Sequence, residues 1–183
     1  MLGPRAKHAF KCESGPAFNA RHNSLRDFCA HFHQRVTGYV ATTEQRVVAW
    51  DRTNPRTGKL EEARLDVATR DAVHGRPIYV DTTVTCAHSD NLSRQRARSN
   101  NDGFAATNAV DGKHARYPPS GGELVPVAFE SGGRPADTTL AYVRSWGAAA
   151  EGSERTDIIR FAWQQLSLLL QAGNAELVLS ALG

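Results

Sequence analysis

The sequence of 183 residues is 40% hydrophobic and 22% charged, which excludes an intrinsically disordered chain and is typical of about one globular domain. Its formal net charge of +3 is small and favours a polyanionic partner only weakly. The three cysteines, Cys12, Cys29 and Cys86, are odd in number and far apart, which argues against a disulfide framework and favours a reducing compartment.

The two ends of the sequence carry no pattern typical of secretion or of membrane insertion. The first twelve residues, MLGPRAKHAFKC, lack the apolar core of a signal peptide. The longest continuous aliphatic run near the other end covers residues 168–170, which is far too short to cross a bilayer. We therefore expect an intracellular protein, or a piece of one, without a membrane partner.

The first predicted element is a helix. Residues 1–20 mix Gly, Pro, Lys and His, which indicates an irregular lead-in. From residue 21 to Gly38 apolar residues recur at helical spacing, with Asn23 or Ser24 as the expected cap. These apolar residues are Leu25, Phe28, Cys29, Phe32 and Val36.

Three strands are expected next. Residues 39–50 are rich in β-branched and aromatic side chains and predict a strand that is interrupted around Glu44. Residues 51–59, DRTNPRTGK, predict a turn. Residues 62–69 and 77–86 predict two strands, and the short link between them ends in Gly75, as a hairpin connection would.

The second half of the chain is mostly helical in pattern. Residues 105–117 predict a helix that the following two prolines stop, although Gly112 weakens it. A short strand over 124–129 contains Pro126, which favours an edge or end position. Residues 137–146 predict another helix. Residues 154–182 predict a helical tail with a break at Gly173 and Asn174.

This order of elements, α-β-β-β-α-β-α followed by a helical tail, predicts an α/β (α+β) protein with a mixed β-sheet flanked by helices on its two faces. We expect three segments along the chain. These are a lead-in over residues 1–20, a main domain over 21–150 and a C-terminal helical extension over 151–183.

Two aspartates stand in the middle of mostly apolar strands. Asp66 lies in EEARLDVAT and Asp81 in IYVDTTVT. If the two strands pair through their short link, both carboxylates can project from one face within a few ångströms. Two such carboxylates repel each other unless a cation lies between them. Hard oxygen ligands on a rigid sheet suit Mg²⁺, which keeps several waters and leaves positions for a phosphate.

A lysine downstream could complete such a site. In DGKHARY, Lys113 and Tyr117 are four residues apart and share one face of the predicted helix. A lysine near a bound cation can orient a water molecule and stabilise the charge that develops on a phosphodiester. The residues alone leave an alternative open, in which each aspartate lies on a polar face or at a strand end and Lys113 is solvated.

Five segments in order, RHNSLRDF, ARLD, VDTTVT, DGKHARY and LVPVAFESGG, resemble the restriction-like endonuclease domain of non-LTR retrotransposon reverse transcriptases. That domain is a variant of the PD-(D/E)xK nuclease fold, and the resemblance covers roughly residues 8–147. It implies a restriction-endonuclease-like sheet and a DNA endonuclease that depends on Mg²⁺ or Mn²⁺. The enzyme would nick a target strand in the nucleus so that a reverse transcriptase in cis can prime on the free 3′ end.

The resemblance assigns roles to individual residues. Asp66 takes the place of the first metal-binding aspartate and Asp81 that of the second acidic ligand. Leu65 replaces the family's usual small residue or proline. Thr83 stands where the family has a lysine, which is expected to have moved to the following helix as Lys113.

Further residues are assigned supporting roles. Thr83 and Tyr117 are expected to support the site or touch phosphate. Asp27 or Glu44 could add a carboxylate to the metal site, as the first helix does in related nucleases. Asp137, in Arg-Pro-Ala-Asp, imitates the family's acidic motif but is followed by a helix pattern, so we interpret it as a residue of the first helical turn.

The resemblance also bears on zinc. In the family this domain follows a Cys-Cys-His-Cys zinc knuckle, and His8 and Cys12 resemble its last two ligands. The resemblance therefore implies that residues 1–20 are a remnant of the knuckle and its linker. Two ligands cannot form the usual four-coordinate site, so we do not expect Zn²⁺ here. His22 could be a third ligand, although its position favours a residue at the start of the helix.

The loop between the second acidic strand and the lysine helix is basic. It carries three arginines, Arg94, Arg96 and Arg98, which we expect to bind DNA phosphates. A solvated loop without a ligand is the alternative.

Two other functions compete with the endonuclease. One is a catalytically degenerate mobile-element fragment that folds and binds nucleic acid without cutting it, which the absence of a lysine two residues after Asp81 favours. The other is a structural domain that tethers other proteins through the helical tail.

Overall fold

The computed structural model describes residues 15–87, 100–148 and 150–182 of the chain. His8, Cys12, Arg94, Arg96 and Arg98, to which the sequence assigns zinc or DNA binding, lie outside these residues. The described part is a mixed α/β structure with four helices and a four-stranded mixed sheet.

The helices are α1 (Pro16–Thr37), α2 (Phe104–Arg116), α3 (Asp137–Ser145) and α4 (Gly152–Leu182). The strands are β1 (Thr42–Arg46), β2 (Arg52–Thr53), β3 (Leu60–Glu61), β4 (Arg64–Arg70), β5 (Pro77–Thr85) and β6 (Glu123–Glu130). Two short 3₁₀ turns cover Val48–Trp50 and Pro119–Gly121.

The main sheet has the strand order β1-β4-β5-β6. The first two pairings are antiparallel, whereas β5 and β6 are parallel because α2 carries the chain back along the sheet. The predicted β4–β5 hairpin is confirmed, and Gly75 closes its link in a left-handed conformation with φ of 68°. Pro126 lies on β6, an edge strand of the described sheet, as its lack of an N–H predicted.

Helices cover both faces of this sheet. Val127 and Phe129 of β6 belong to the core formed with α1, α3 and α4. Ala128 between them contacts Ala106 and Val110 of α2 on the other face, because side chains alternate along a strand. None of the described helices is long and apolar enough to cross a membrane.

Helix α1 begins five residues earlier than the sequence predicted, at Pro16 rather than at residue 21. Proline suits the first turn of a helix, where its missing N–H is not needed. The expected caps are wrong, since Asn23 and Ser24 lie inside the helix and the Ser24 hydroxyl donates to Ala20 O at 2.8 Å. The additional turn exists because Ala17 packs on Leu177 of α4, a contact that no local pattern reveals.

The strand predicted over residues 39–50 is shorter than expected and gives way to a 3₁₀ turn. Trp50 causes the change, because its side chain is buried and its indole N–H donates to Pro118 O at 2.7 Å. The residues that follow were predicted as a plain turn. They form a separate two-stranded ribbon, β2 and β3, outside the main sheet.

The predicted break in the C-terminal helix does not exist, and α4 runs unbroken past Gly173. A Cβ at Gly173 would lie 2.4 Å from Cγ of Arg21, so the glycine allows α4 to approach α1 closely. Asn174 accepts a hydrogen bond from Arg21 Nη1 at 2.9 Å and donates one to Ser131 O at 2.7 Å. The tail therefore packs on the core, and nothing in it resembles a detached tether.

One histidine is fixed inside the main core. The indole N–H of Trp146 donates to Nδ1 of His33 at 2.9 Å, so the ring proton lies on Nε2 and is donated to Arg70 O at 2.8 Å. The hydroxyl of Tyr142 also contacts Nδ1, at 3.2 Å. Burial lowers the pKa of His33, which is consistent with this neutral tautomer. This network joins α1, α3 and the end of β4.

The close approach at Gly173 gives the first prediction. Replacing an interior helix glycine by alanine normally stabilises a protein by about 0.5–1 kcal/mol. In Gly173→Ala the new methyl would lie 2.6 Å from Cβ of Arg21, an atom that the backbone fixes, so we expect a loss of about 1–3 kcal/mol in the free energy of unfolding. Urea unfolding measures this.

Gly112→Ala is the matched control. Gly112 also lies inside a helix, α2, but a Cβ there would meet nothing within 4 Å, so this variant should be stabilised. Equal stabilisation of the two variants would contradict the close contact between α1 and α4.

Candidate functional site

Asp66 is a buried carboxylate on β4 with three hydrogen-bond donors around it. Both the backbone N–H and the hydroxyl of Thr82 donate to Oδ2 at 2.5 Å, and Nε2 of His22 lies 3.0 Å from Oδ1. Burial alone would raise the pKa of Asp66, but the bond and charge of His22 and the two bonds from Thr82 outweigh it and hold the pKa below its ordinary value. Asp66 is therefore held in its charged form.

His22 is the contact of α1 with this carboxylate. Leu25 and Cys29, three and seven residues further along, are buried in the core, and this places His22 on the face of α1 that meets the sheet. The hydrogen bond to Asp66 raises the pKa of His22, and the charges of Asp66 and Asp81 add to the effect. Residue 22 was predicted as a helix start or a zinc ligand, and its contact with Asp66 was missed. A polar residue in register with Leu25 and Cys29 was the available signal.

Asp81, on β5, is the second buried carboxylate. Nζ of Lys113 lies 2.7 Å from Oδ2 as an ion pair, yet this oxygen accepts no hydrogen bond of regular geometry. Burial raises the pKa of Asp81, the charge of Lys113 opposes this rise, and the charge of Asp66 adds to it. Asp81 is therefore a buried carboxylate whose negative charge, which burial disfavours, is balanced by the Lys113 ammonium.

The two carboxylates lie at the point where the regular pairing of β4 and β5 ends. The paired residues of the hairpin end at Val67 and Val80, and one step further on are Asp66 and Asp81. At this step Thr82 donates its N–H to the side chain of Asp66 rather than to a backbone carbonyl. Regular pairing would put both carboxylates on one face. Instead each is bonded to a helix on a different face, α1 or α2, and their charges interact across the gap.

Helix α2 positions Lys113. Ala106 and Val110 pack on Ala128 of β6, and Lys113 follows Val110 by three residues, on the same side of the helix. One turn later, the ring of Tyr117 packs against that of Trp50, with centroids 5.3 Å apart and planes tilted by 47°. Burial raises the pKa of Tyr117, and the charge of Asp81 raises it further.

The remaining site residues predicted from sequence lie around this centre. Thr83 is half-buried on β5, two residues beyond Asp81. Asp27 and Glu44, the expected additional metal ligands, are both bound by Arg26 at 2.8 Å and 2.5 Å and are about half exposed. The contact that α1 makes with the site is thus through His22.

The donor set limits which ion can fit. Within residues 15–87, 100–148 and 150–182 no group of three or more His, Cys, Asp or Glu side chains is arranged to hold a metal. Two carboxylates are sufficient for Mg²⁺, because this ion keeps several waters and takes phosphate oxygens as ligands. The repulsion between Asp66 and Asp81 suits a small divalent cation, which would share Oδ2 of Asp81 with Nζ of Lys113.

Comparison with known proteins adds no family to this description. No family model matches the chain, and no curated protein matches it.

The ion pair of His22 and Asp66 gives the second prediction. His22→Ala leaves a buried carboxylate without its charged partner, and we expect a loss of about 1–2 kcal/mol in the free energy of unfolding. The pKa of His22 is raised, so its contribution is complete below the ordinary value of 6.5 and is lost as the pH rises through the folded value. The pKa of Asp66 is lowered, so its contribution is complete above 3.8 and is lost at lower pH.

The stability difference between wild type and His22→Ala should therefore be largest between about pH 4 and pH 6.5, in urea unfolding at a series of pH values. His31→Ala removes an exposed histidine of the same helix and serves as the control. A difference that does not change with pH, or one that the control reproduces, would refute the ion pair.

Proposed function

We propose that the chain is a Mg²⁺-dependent DNA endonuclease domain of the restriction-like fold. The observation that carries this proposal is the pair of buried carboxylates, Asp66 and Asp81, on neighbouring strands with the ammonium of Lys113 2.7 Å from one of them. Two carboxylates and a lysine are the chemical groups that hydrolysis of a phosphodiester on a divalent ion requires.

The fold supports the proposal. A mixed sheet flanked by helices on both faces is the architecture that the sequence resemblance implies. The three residues to which the resemblance gives catalytic roles come from β4, β5 and α2. Lys113 contacts Asp81, and the charge of Asp81 interacts with that of Asp66, which is bound from the other face of the sheet.

Asp66 and Asp81 would hold the ion. The ion, when bound, would neutralise the two carboxylates and withdraw charge from the phosphate that is attacked. His22 and Thr82 keep Asp66 charged and fix its direction, so that the carboxylate requires no proton loss or rotation before it binds a cation. A site organised in advance in this way loses little energy to rearrangement during the reaction.

Lys113 would act on the water and the phosphate. Its ammonium has three hydrogens and can donate both to Asp81 and to the attacking water, which it then directs at phosphorus. The attacking water gives up one proton to solvent as its oxygen forms a bond to phosphorus, while the bond from phosphorus to the 3′ oxygen breaks and this oxygen takes up a proton from solvent. The products are a 5′ phosphate and a free 3′ hydroxyl, which is the end that a reverse transcriptase needs for priming.

The wider role follows from the resemblance alone. We propose that the domain belongs to a retrotransposon-derived protein, acts with a reverse transcriptase in cis and works in the nucleus. The fold and the carboxylate site are compatible with this role, and the sequence segments from residue 21 onward that carry the resemblance all lie on elements of the described core.

Three observations favour a second candidate, a degenerate fragment that binds nucleic acid without cleaving it. The first is that Asp66 and Asp81 are bound by helices on opposite faces of the sheet, whereas a shared metal site was expected to have both carboxylates on one face. Thr83 occupies the position of the family's lysine, and the described residues offer two carboxylates and no third ligand. The position of Lys113 beside Asp81 argues for the enzyme, because a lysine on α2 then reaches the same carboxylate.

Nicking of supercoiled plasmid DNA tests the proposal. Wild type should convert supercoiled to open-circular DNA with Mg²⁺ or Mn²⁺ and not with EDTA. Asp66→Asn and Asp81→Asn should each lower the rate at least about 100-fold because they remove a metal ligand, and Lys113→Met should lower it about 100-fold or more. Circular dichroism checks that each variant is folded.

Asp137→Asn is the matched control. It removes the same charge from a sequence, Arg-Pro-Ala-Asp, that imitates the acidic motif but forms the first turn of α3. Its nicking rate should equal that of the wild type. Absence of nicking by the folded wild type would favour the degenerate fragment, and undiminished nicking by both aspartate variants would exclude Asp66 and Asp81 as the metal site.

A further inference from the structure

The two-stranded ribbon of β2 and β3, with its connecting residues 54–59, extends away from the main sheet between β1 and β4. All six residues from 55 to 60 are exposed, among them Leu60, whose exposed fraction is 59%. The sequence predicted only a turn here, and the site built on Asp66 and Asp81 does not use it. An exposed ribbon of this kind either binds a partner or remains solvated.

The tip of the ribbon is ordered by its own hydrogen bonds. The side-chain oxygen of Asn54 accepts from the N–H groups of Arg56 and Thr57 at 2.9 Å and 3.1 Å. Its amide donates to Glu61 at 2.6 Å, and Gly58 N donates to Asn54 O at 2.8 Å. A tip that is already fixed loses little conformational entropy when it binds a partner.

The positive charges at the base of the ribbon are paired with carboxylates, whereas those at its tip are not. Arg52 near its base is neutralised by Glu61 at 2.7 Å. Arg56 and Lys59 at the tip form no ion pair with any residue that the structure describes, although most arginines around the nearby strands are paired. The tip therefore presents two uncompensated positive charges close together, and a polyanion is the partner that they fit.

The base of the ribbon is joined to the segment that follows α2. The carbonyl of Trp50 accepts from Arg116 at 2.7 Å, and its indole donates to Pro118 O. The backbone at Gly121 passes so close that a Cβ there would lie 2.2 Å from the indole nitrogen of Trp50. Since α2 also carries Lys113, these contacts join the base of the ribbon to the helix that bears this lysine.

We propose that this ribbon is a DNA-binding element that lies in a groove of the duplex beside the bond that is cut, with Arg56 and Lys59 on backbone phosphates. The major groove of B-DNA is about 12 Å wide and admits a two-stranded ribbon. Contacts from arginine and lysine to phosphates position a protein on DNA without reading its sequence. The inference rests on the proposed function for the location of the cut, while the binding itself is measured separately.

The test is the affinity of Arg56→Ala/Lys59→Ala for duplex DNA, measured by fluorescence anisotropy over a range of salt concentrations in EDTA. The double variant should bind duplexes of every sequence more weakly than wild type. The slope of log K against log salt concentration should become less steep by about 2, because each lost phosphate contact lowers it by about 1. Both side chains are exposed, and thermal unfolding should show an unchanged fold.

Arg35→Ala/Arg144→Ala is the matched control, since it removes the same charge from two exposed arginines on α1 and α3. Its affinity and its salt slope should equal those of the wild type. A ribbon variant that behaves like this control, or a wild type that does not bind duplex DNA, would overturn the inference. Because EDTA prevents cleavage, a protein that binds through the ribbon but never nicks DNA would refute the proposed nuclease and leave the ribbon's role intact.

Discussion

The structure depends on how it accommodates two buried aspartates at the point where β4 and β5 part. Burying one unpaired carboxylate costs several kcal/mol, and burying two side by side adds their repulsion. Each faces a basic side chain from a different helix, His22 of α1 for Asp66 and Lys113 of α2 for Asp81. The placement of both helices on the sheet therefore follows from the charges as well as from apolar packing.

The two carboxylates differ in their hydrogen bonds and in the direction of their pKa shifts. Asp66 is fully bonded and its pKa is lowered, so it is a fixed negative charge. Asp81 has an acceptor without a regular hydrogen bond and a raised pKa, so it gains most from an added cation. Groups whose pKa values are pushed apart by their surroundings are common at catalytic sites, although structural ion pairs also shift them. Here the asymmetry comes from His22 and Thr82, which serve one carboxylate only.

The sequence predicted what depends on neighbouring residues and missed what depends on distant ones. Charged residues inside apolar strands identified Asp66 and Asp81, and the hairpin and α2 followed from local pattern. The contacts of Trp50 with Pro118, of Gly173 with Arg21 and of His22 with Asp66 each join residues far apart in the chain. The first contact accompanies the ribbon, the second the unbroken α4, and the third adds His22 to the candidate site. None of these contacts can be predicted from the local spacing of apolar residues.

The central claim is that the carboxylate pair exists to hold a divalent cation. Titration of Mn²⁺ into the protein, with free Mn²⁺ measured by electron paramagnetic resonance, tests it most directly. The account predicts a site in the wild type that Mg²⁺ competes for and that Asp66→Asn/Asp81→Asn lacks. Equal binding by wild type and this double variant, or no binding by either, would contradict it.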